Sequence, residues 1–178
     1  MKKTHAFFYG WLIGGILLTF GVRAEGQERI TNEPGGYSFE MPEGFFMPQE
    51  AAGTAVTLKK KNVLSSVIPT ITMSIVPLED ALKRYEEREA DLRRARYSRT
   101  SGMRLLRKSS LNTKRDIPGW EMTSLQNDHS GKPAYVIFAL LDRDAENMLM
   151  ITGSTLLENR VEFALLYDAL INSIEYGK

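Results

Sequence analysis

Cysteine is absent from the sequence, and histidine is nearly so. The lack of cysteine excludes disulfide bonds, thiolate metal sites and the acylated cysteine of a lipoprotein. Of the two histidines, only His129 lies beyond the N-terminal leader described below, so an imidazole zinc site is not expected. The sequence also has no glycine-rich loop that would cradle a phosphate. We therefore expect no metal, no cofactor and no enzymatic activity.

The first 24 residues have the three parts of a secretory signal peptide. A basic start, Met1–His5, precedes the uncharged apolar run Ala6–Val22, and small residues flank Arg23 at the end. We predict cleavage after Ala24 and export to the periplasm. The alternative is an uncleaved helix that anchors the chain in the inner membrane, although this run of seventeen residues is at the short limit for spanning a bilayer.

The rest of the chain, residues 25–178, has the length of one ordinary domain. Residues 25–36 are polar and end in the turn sequence Pro34-Gly35-Gly36, so we predict a flexible lead-in. Residues 37–178 are predicted to form a single domain. A chain of this size buries about 70% of its unfolded surface, which is enough for a core without disulfides.

Two apolar runs near the C-terminal third organise the predicted fold. Ala134–Leu141 and Met148–Ser154 are joined by the charged turn Asp142–Asn147. The first run is apolar at eight consecutive positions, whereas a strand with one face in water would alternate apolar and polar residues. We therefore predict a hairpin that is covered on both faces, which requires helices on the two sides of the sheet, or a helix on one side and a long loop on the other.

Further segments have the composition of β-strands, and the Lys59–Asn62 run between two of them is interpreted as a turn. These strands are Tyr37–Met41, Thr54–Leu58, Thr70–Val76, Met103–Ser110 and Trp120–Leu125. In the last of them, Trp120 and Met122 are expected to face the core. Short connections between most of these segments predict antiparallel pairing.

Two segments have the periodicity of amphipathic helices. The first is predicted from Pro77 to about Arg96, and the second begins at Asn159, which forms a capping-box pattern with Glu162. The apolar stripe of the second helix consists of Phe163, Leu166, Tyr167, Leu170 and Ile174. Strands joined by hairpins and interrupted by a helix define the α+β class.

Several of these pieces together resemble the PsbP-like family, which includes the photosystem extrinsic subunit, a Ran-binding import factor and the DcrB-type envelope proteins. They are the early segment Tyr37-Ser38-Phe39-Glu40-Met41-Pro42-Glu43-Gly44-Phe45, the strand end Val76-Pro77-Leu78, the hairpin Ala134–Ser154 and the final Ile171-Asn172-Ser173-Ile174. The resemblance implies an antiparallel sheet between helices, an α-β-α sandwich, and a non-enzymatic binding role. The missing lipid-accepting cysteine departs from the DcrB-type lipoproteins.

Charge is distributed unevenly along the chain. Lys83–Arg115 holds twelve basic and four acidic residues, while the remaining exported chain is acidic. Such segregation produces a face of one sign. The candidate partner surface consists of Lys59, Lys60, Lys61, Arg88, Arg93, Arg94, Arg96, Arg99, Arg104, Arg107 and Lys108. The opposing interpretation is a solvated face whose arginines are neutralised by acidic neighbours one helical turn away.

Three patterns in the sequence bear on possible chemistry. The string Asp128-His129-Ser130 is interpreted as a surface turn, because consecutive side chains on a turn point apart and do not form a triad. The acidic turn at 142–147 lacks the glycine and the bidentate glutamate of a calcium loop. A pair of carboxylates that meet only in the folded protein would support a hydrolase, the third function considered.

We expect an exported, non-catalytic module that binds a protein partner or assists an envelope assembly. The alternative is a peripheral protein whose basic face contacts anionic lipid, aided by the apolar residues of Val63–Pro69. Nucleic acid is not expected as a partner, because an exported protein rarely meets it.

Overall fold

The computed structural model describes residues 28–48, 53–63, 67–95, 102–128 and 130–177. The predicted signal peptide lies outside this part of the chain, as do Arg96, Arg99 and His129. The strands are β1 Arg29–Asn32, β2 Tyr37–Glu40, β3 Phe45–Phe46, β4 Val56–Lys60, β5 Thr70–Pro77, β6 Arg104–Asn112, β7 Pro118–Asn127, β8 Pro133–Asp142, β9 Asn147–Leu156 and β10 Glu175–Tyr176. The helices are α1 Leu78–Ala95 and α2 Arg160–Ser173, the latter preceded by a single 3-10 turn, Leu157–Asn159.

The predicted hairpin is confirmed as β8 and β9, which lie in the middle of a seven-stranded antiparallel sheet. The strand order is β3-β4-β5-β9-β8-β7-β6. Within β8, Ile137, Ala139 and Leu141 belong to one buried apolar cluster, and Phe138 and Leu140 belong to another on the opposite face. The apolar run without alternation therefore has the cause inferred from the sequence: both faces of this strand are buried.

Helix α1 covers one face of the sheet. Its buried residues Ala81, Tyr85 and Leu92 pack with Phe138 and Leu140. Acidic residues lie in the first turn of the helix and arginines in the last turn, where each charge interacts favourably with the helix dipole. This face carries the smaller apolar cluster.

Helix α2 covers part of the other face and packs mainly on β9 and on the small sheet that contains β2. The predicted stripe is confirmed: Phe163, Tyr167 and Leu170 are buried. The helix approaches closely because β9 has Gly153 beneath it, where a Cβ atom would lie 3.0 Å from the rings of Phe163 and Tyr167. The sheet and two flanking helices form the α-β-α sandwich of an α+β fold.

The prediction of a flexible lead-in is wrong for Arg29–Asn32. These residues form β1, which pairs with β2, and β2 also pairs with the terminal strand β10 in a three-stranded sheet. Arg29 donates a hydrogen bond to the carbonyl of Ser173 at 3.1 Å and pairs with Glu175 at 2.6 Å. Long-range pairing therefore orders a segment whose polar composition indicated a loop.

Three local predictions also need correction. Trp120 is 39% exposed, because it lies near the end of β7 and α1 does not cover it. Lys59 and Lys60 continue β4, so the turn begins only at Lys61. The capping box is not formed: Asn159 belongs to the 3-10 turn and makes no side-chain cap, while Glu162 binds Lys60 on β4.

Because α2 lies off-centre, no described helix covers the outer strands β7 and β6 on this face of the sheet, where Glu121 and Thr123 of β7 are buried and Leu106 and Arg107 of β6 are exposed. Their side chains form the floor of a groove beside the helix. Across the five described ranges, no helix is long and apolar enough to cross a membrane.

Candidate binding groove and basic surface

A buried carboxylate on α1 holds the first group of predicted surface cations. Glu89 is 9% exposed, and its Oε1 accepts a hydrogen bond from Nε of Arg93 at 2.9 Å. Nζ of Lys108, on the edge strand β6, donates to the other carboxylate oxygen. The two hydrogen bonds, Lys108 first, lower the pKa of Glu89. The carboxylate is thus shielded, whereas the arginine side chain is 70% exposed, so positive charge faces outward.

Aromatic rings position two of the same cations. The guanidinium of Arg88 lies 5.6 Å from the ring centre of Phe138, and Nζ of Lys108 lies 5.2 Å from that of Tyr85. These distances are within the range of cation–π attraction. Burial lowers the pKa of Arg88, in keeping with a side chain that lies along the protein surface.

The structure separates the remaining predicted cations. Lys59, Lys60 and Lys61 lie on or after β4, five strands away from β6 in the sheet order, which is roughly 24 Å at the usual strand spacing. Arg94 pairs with Asp91 at 2.6 Å on the outer face of α1. The predicted set therefore does not form one continuous surface. We call the part on α1 and on the α1 side of β6 the basic corner; it consists of Arg88, Arg93 and Lys108. Arg104 is not part of it, because its neighbour Leu105 packs in the α1 cluster and successive side chains of a strand point to opposite faces.

A β-bulge on β6 directs one further cation to the opposite face of the sheet. The register shifts between Leu105 and Arg107, so Leu106 is the extra residue and both Leu106 and Arg107 line the groove beside α2. Nη2 of Arg107 lies 2.5 Å from Oε1 of Glu121, which is 8% exposed on β7. This hydrogen bond raises the pKa of Arg107. Bulges commonly re-aim side chains in this way beside functional sites.

The groove has a volume of about 530 Å³. Three strands form its floor and α2 forms its wall. We call it the α2 groove; its lining residues are Leu106, Arg107, Glu121, Thr123, Tyr135, Ile137, Arg160, Val161, Ala164, Leu165, Tyr167 and Asp168. Mixed apolar walls with a few polar groups are typical of binding sites of this size.

One hydroxyl at the groove has no partner. Tyr167 is 1% exposed, and its hydroxyl makes no hydrogen bond with any described residue. Burial, and then the nearby Glu121 and Tyr135, raise its pKa well above the ordinary value. The raised pKa keeps the phenol neutral. A buried hydroxyl without a hydrogen-bond partner costs about 1–3 kcal/mol of stability.

The groove also brings two carboxylates into one cleft, Glu121 from β7 and Asp168 from α2. Glu121 forms an ion pair with Arg107. Within the described ranges, no group of three or more acidic or histidine side chains is arranged to hold a metal ion.

The polar turns at 128–132 and 144–147 are each stabilised by hydrogen bonds to an aspartate side chain within the turn. Oδ1 of Asp128 accepts hydrogen bonds from the backbone N–H groups of Ser130 at 2.9 Å and Lys132 at 2.7 Å. Oδ1 of Asp144 likewise accepts from the backbone N–H groups of Glu146 and Asn147, and the first of these is the main cause of its lowered pKa. Both aspartates therefore shape turns, as side chains of this type commonly do.

The sequence reasoning did not identify the α2 groove. One signal was present: Val161 and Leu165 are apolar but lie off the buried stripe of α2, and they are 67% and 69% exposed. A second signal was Glu121, the one charged residue of β7. Neither indicated a groove without knowledge that α2 lies off-centre on the sheet.

No family model matches the chain, and no curated protein matches it. Solved structures do match, and they define the class: the chain has the PsbP-like fold, which Mog1 shares. LpqN of Mycobacterium tuberculosis, a protein involved in cell envelope biogenesis, aligns with a TM-score of 0.60 and 10% identity over 88% of each chain.

Two other matches carry the same topology. The Ran-binding protein Mog1p of Saccharomyces cerevisiae has a TM-score of 0.55 and 10% identity, covering 84% of this chain and 95% of its own. CyanoP, the PsbP of Synechocystis sp. PCC 6803, has a TM-score of 0.52 and 13% identity, covering 88% and 95%. A longer protein from Bacteroides thetaiotaomicron also matches, and the chain spans 49% of its length. Identities this low show a shared fold and nothing finer.

Proposed function

We propose that this chain is an exported, non-catalytic module that binds a protein partner of the cell envelope or assists an envelope assembly. The signal-peptide pattern supports export. The fold supports a binding role, since it is shared with an envelope-biogenesis protein and with a Ran-binding protein. The partner surface that we assign is the basic corner.

This assignment rests on the arrangement of charge at the basic corner, where exposed cations cover a buried carboxylate. Glu89 is buried, while Arg93 and Lys108 above it are 70% and 43% exposed. A partner protein would therefore contact the exposed cations and not the buried carboxylate that binds them. This arrangement favours a partner with an acidic surface. Basic side chains on an edge strand also prevent unwanted strand pairing.

Site-specific photo-crosslinking in cells tests the assignment. A photoreactive residue at position 93 is expected to give a discrete protein adduct, which Lys108→Ala weakens and added salt reduces. The matched control carries the same residue at position 114, since Lys114 is also an exposed cation but lies beyond the C-terminal end of β6. Identical adducts at both positions, or none at position 93, would refute the basic corner as the partner surface.

A second candidate function is contact with a membrane surface. It is favoured by Ile68, which is 44% exposed, in the same connection as the exposed Lys61. Flotation with anionic vesicles distinguishes this function: salt-sensitive binding that Ile68→Glu abolishes supports it. Protein that stays at the bottom of the gradient eliminates it.

A further inference from the structure

The open strip of the sheet beside α2 has the width of one helix. It consists of two strands, β7 and β6, and two strand spacings amount to about 10 Å. An α-helix with its side chains is about 10–12 Å across. One more helix beside α2 would therefore complete the layer that α2 begins.

Helix α2 itself carries more apolar surface than its own sheet buries. Val161 and Leu165 are the two most exposed large hydrophobic residues in the described chain, at 67% and 69%. They lie one helical turn apart and line the rim of the α2 groove. Exposed apolar surface of this kind, next to an open groove, indicates an interaction site.

Three groove-lining residues of α2 form a pattern whose charges are complementary to those of the same pattern run in the opposite direction. Arg160, Ala164 and Asp168 are spaced four residues apart and line the groove together. A cation stands at one end, an anion at the other, and a small residue in the middle. Neither Arg160 nor Asp168 forms an ion pair within the part of the chain that the structure describes, and both are exposed.

We propose that the α2 groove is filled by α2 of a second copy of this chain, in a dimer with two-fold symmetry. The two α2 helices lie side by side and antiparallel between the two sheets, with Ala164 of each copy at the symmetry axis. Arg160 of one copy then faces Asp168 of the other, and the reverse pair forms at the same time. Val161 and Leu165 of each copy pack on the open strip of the other.

The self-complementarity of the pattern favours a second copy over an unrelated helix. In a two-fold interface the same patch is used on both subunits, so each charge needs its opposite within that patch. The charges at 160 and 168 satisfy this condition about Ala164. The basic corner lies outside this contact, and the inference does not depend on the proposed function.

Sedimentation equilibrium of the full purified protein provides the first test. For a contact formed by one helix and the adjacent strip of sheet, we expect a dissociation constant in roughly the micromolar range. The weight-average mass should rise from one to two chains across that range. Leu165→Glu should leave a monomer at every concentration, with an unchanged urea midpoint because the side chain is exposed on the folded monomer.

Charge reversal tests the register. Arg160→Asp and Asp168→Arg should each weaken dimerisation by at least about tenfold, because each places like charges opposite one another. The double variant restores both pairs and should dimerise again. A mixture of the two single variants should form a heterodimer, although each alone is monomeric. Loss of folding in the variants cannot mimic this rescue.

Three results would overturn the inference. The first is a wild-type protein that remains a monomer up to the solubility limit. The second is a dimer that is insensitive to both charge reversals, since its contact would lie elsewhere. The third is a failure of the mixed single variants to associate while the wild type dimerises, since antiparallel pairing of α2 requires that they do.

Discussion

Adjacent leucines on β8 allow a direct test of the doubly covered strand. Leu140 faces the α1 cluster and Leu141 faces the α2 cluster, and both are 0% exposed. Replacing either with alanine removes the same atoms from a closed environment. Each substitution should therefore lower the free energy of unfolding by about 3 kcal/mol, within the usual range for buried leucine. At roughly 2–4 °C per kcal/mol for a chain of this size, the melting temperature should fall by about 6–12 °C.

Urea unfolding followed by circular dichroism measures both variants, with Leu82→Ala as the control. Leu82 lies on α1 and is 37% exposed, so its loss should cost less than about 1 kcal/mol. A strand covered on one face would behave differently, because only one of the two neighbours would be sensitive. A cost below about 1 kcal/mol at either Leu140 or Leu141 would refute the reasoning.

Two further predictions concern single sites. Gly119→Ala should destabilise the β7–β8 pairing by at least about 2 kcal/mol in urea unfolding, because a Cβ atom would lie 2.2 Å from the carbonyl oxygen of Leu140; an unchanged urea midpoint would contradict this contact. For Glu89, hydrogen bonds from Lys108 and Arg93 lower the pKa of the carboxyl group in the folded protein. The contribution of this carboxylate to the free energy of unfolding is therefore complete above the unfolded pKa of about 4.3, and it is lost as the pH falls through the lower pKa of the folded state. The stability difference between wild type and Glu89→Gln should therefore shrink on acidification below about pH 4, and a difference that is independent of pH would show that this carboxylate is not preferentially ionised in the fold.

The central hairpin and both helices could be predicted because their signals are local. Eight consecutive apolar residues in Ala134–Leu141 indicate two buried faces, and the 3.6-residue stripe of α2 indicates one. The strand β1 could not be predicted in this way. Three of its four residues are polar, and long-range contacts hold it in place: pairing with β2, packing of Ile30 on the larger apolar cluster and the salt bridge from Arg29 to Glu175.

The candidate sites were harder to predict from the sequence than the fold. The cluster of arginines was visible as composition, but their orientation over the buried Glu89 depends on contact between α1 and β6. The two lysines Lys59 and Lys60 were grouped with these arginines, yet the strand order places them near the other edge of the sheet. The α2 groove depends on where a helix rests on a sheet, and no local pattern encodes that position.

The two faces of the sheet, one closed and one partly open, can be tested by cysteine labelling, since the chain has no native cysteine. Single variants Ala139→Cys, Leu140→Cys and Leu106→Cys report on the α2 side of the core, the α1 side of the core and the rim of the α2 groove. Under native conditions, at a protein concentration at which the chain is monomeric, the thiols at 139 and 140 should react only as fast as the protein opens, while the thiol at 106 should react much faster. Rapid labelling at either 139 or 140 would contradict a sheet closed by helices on both faces.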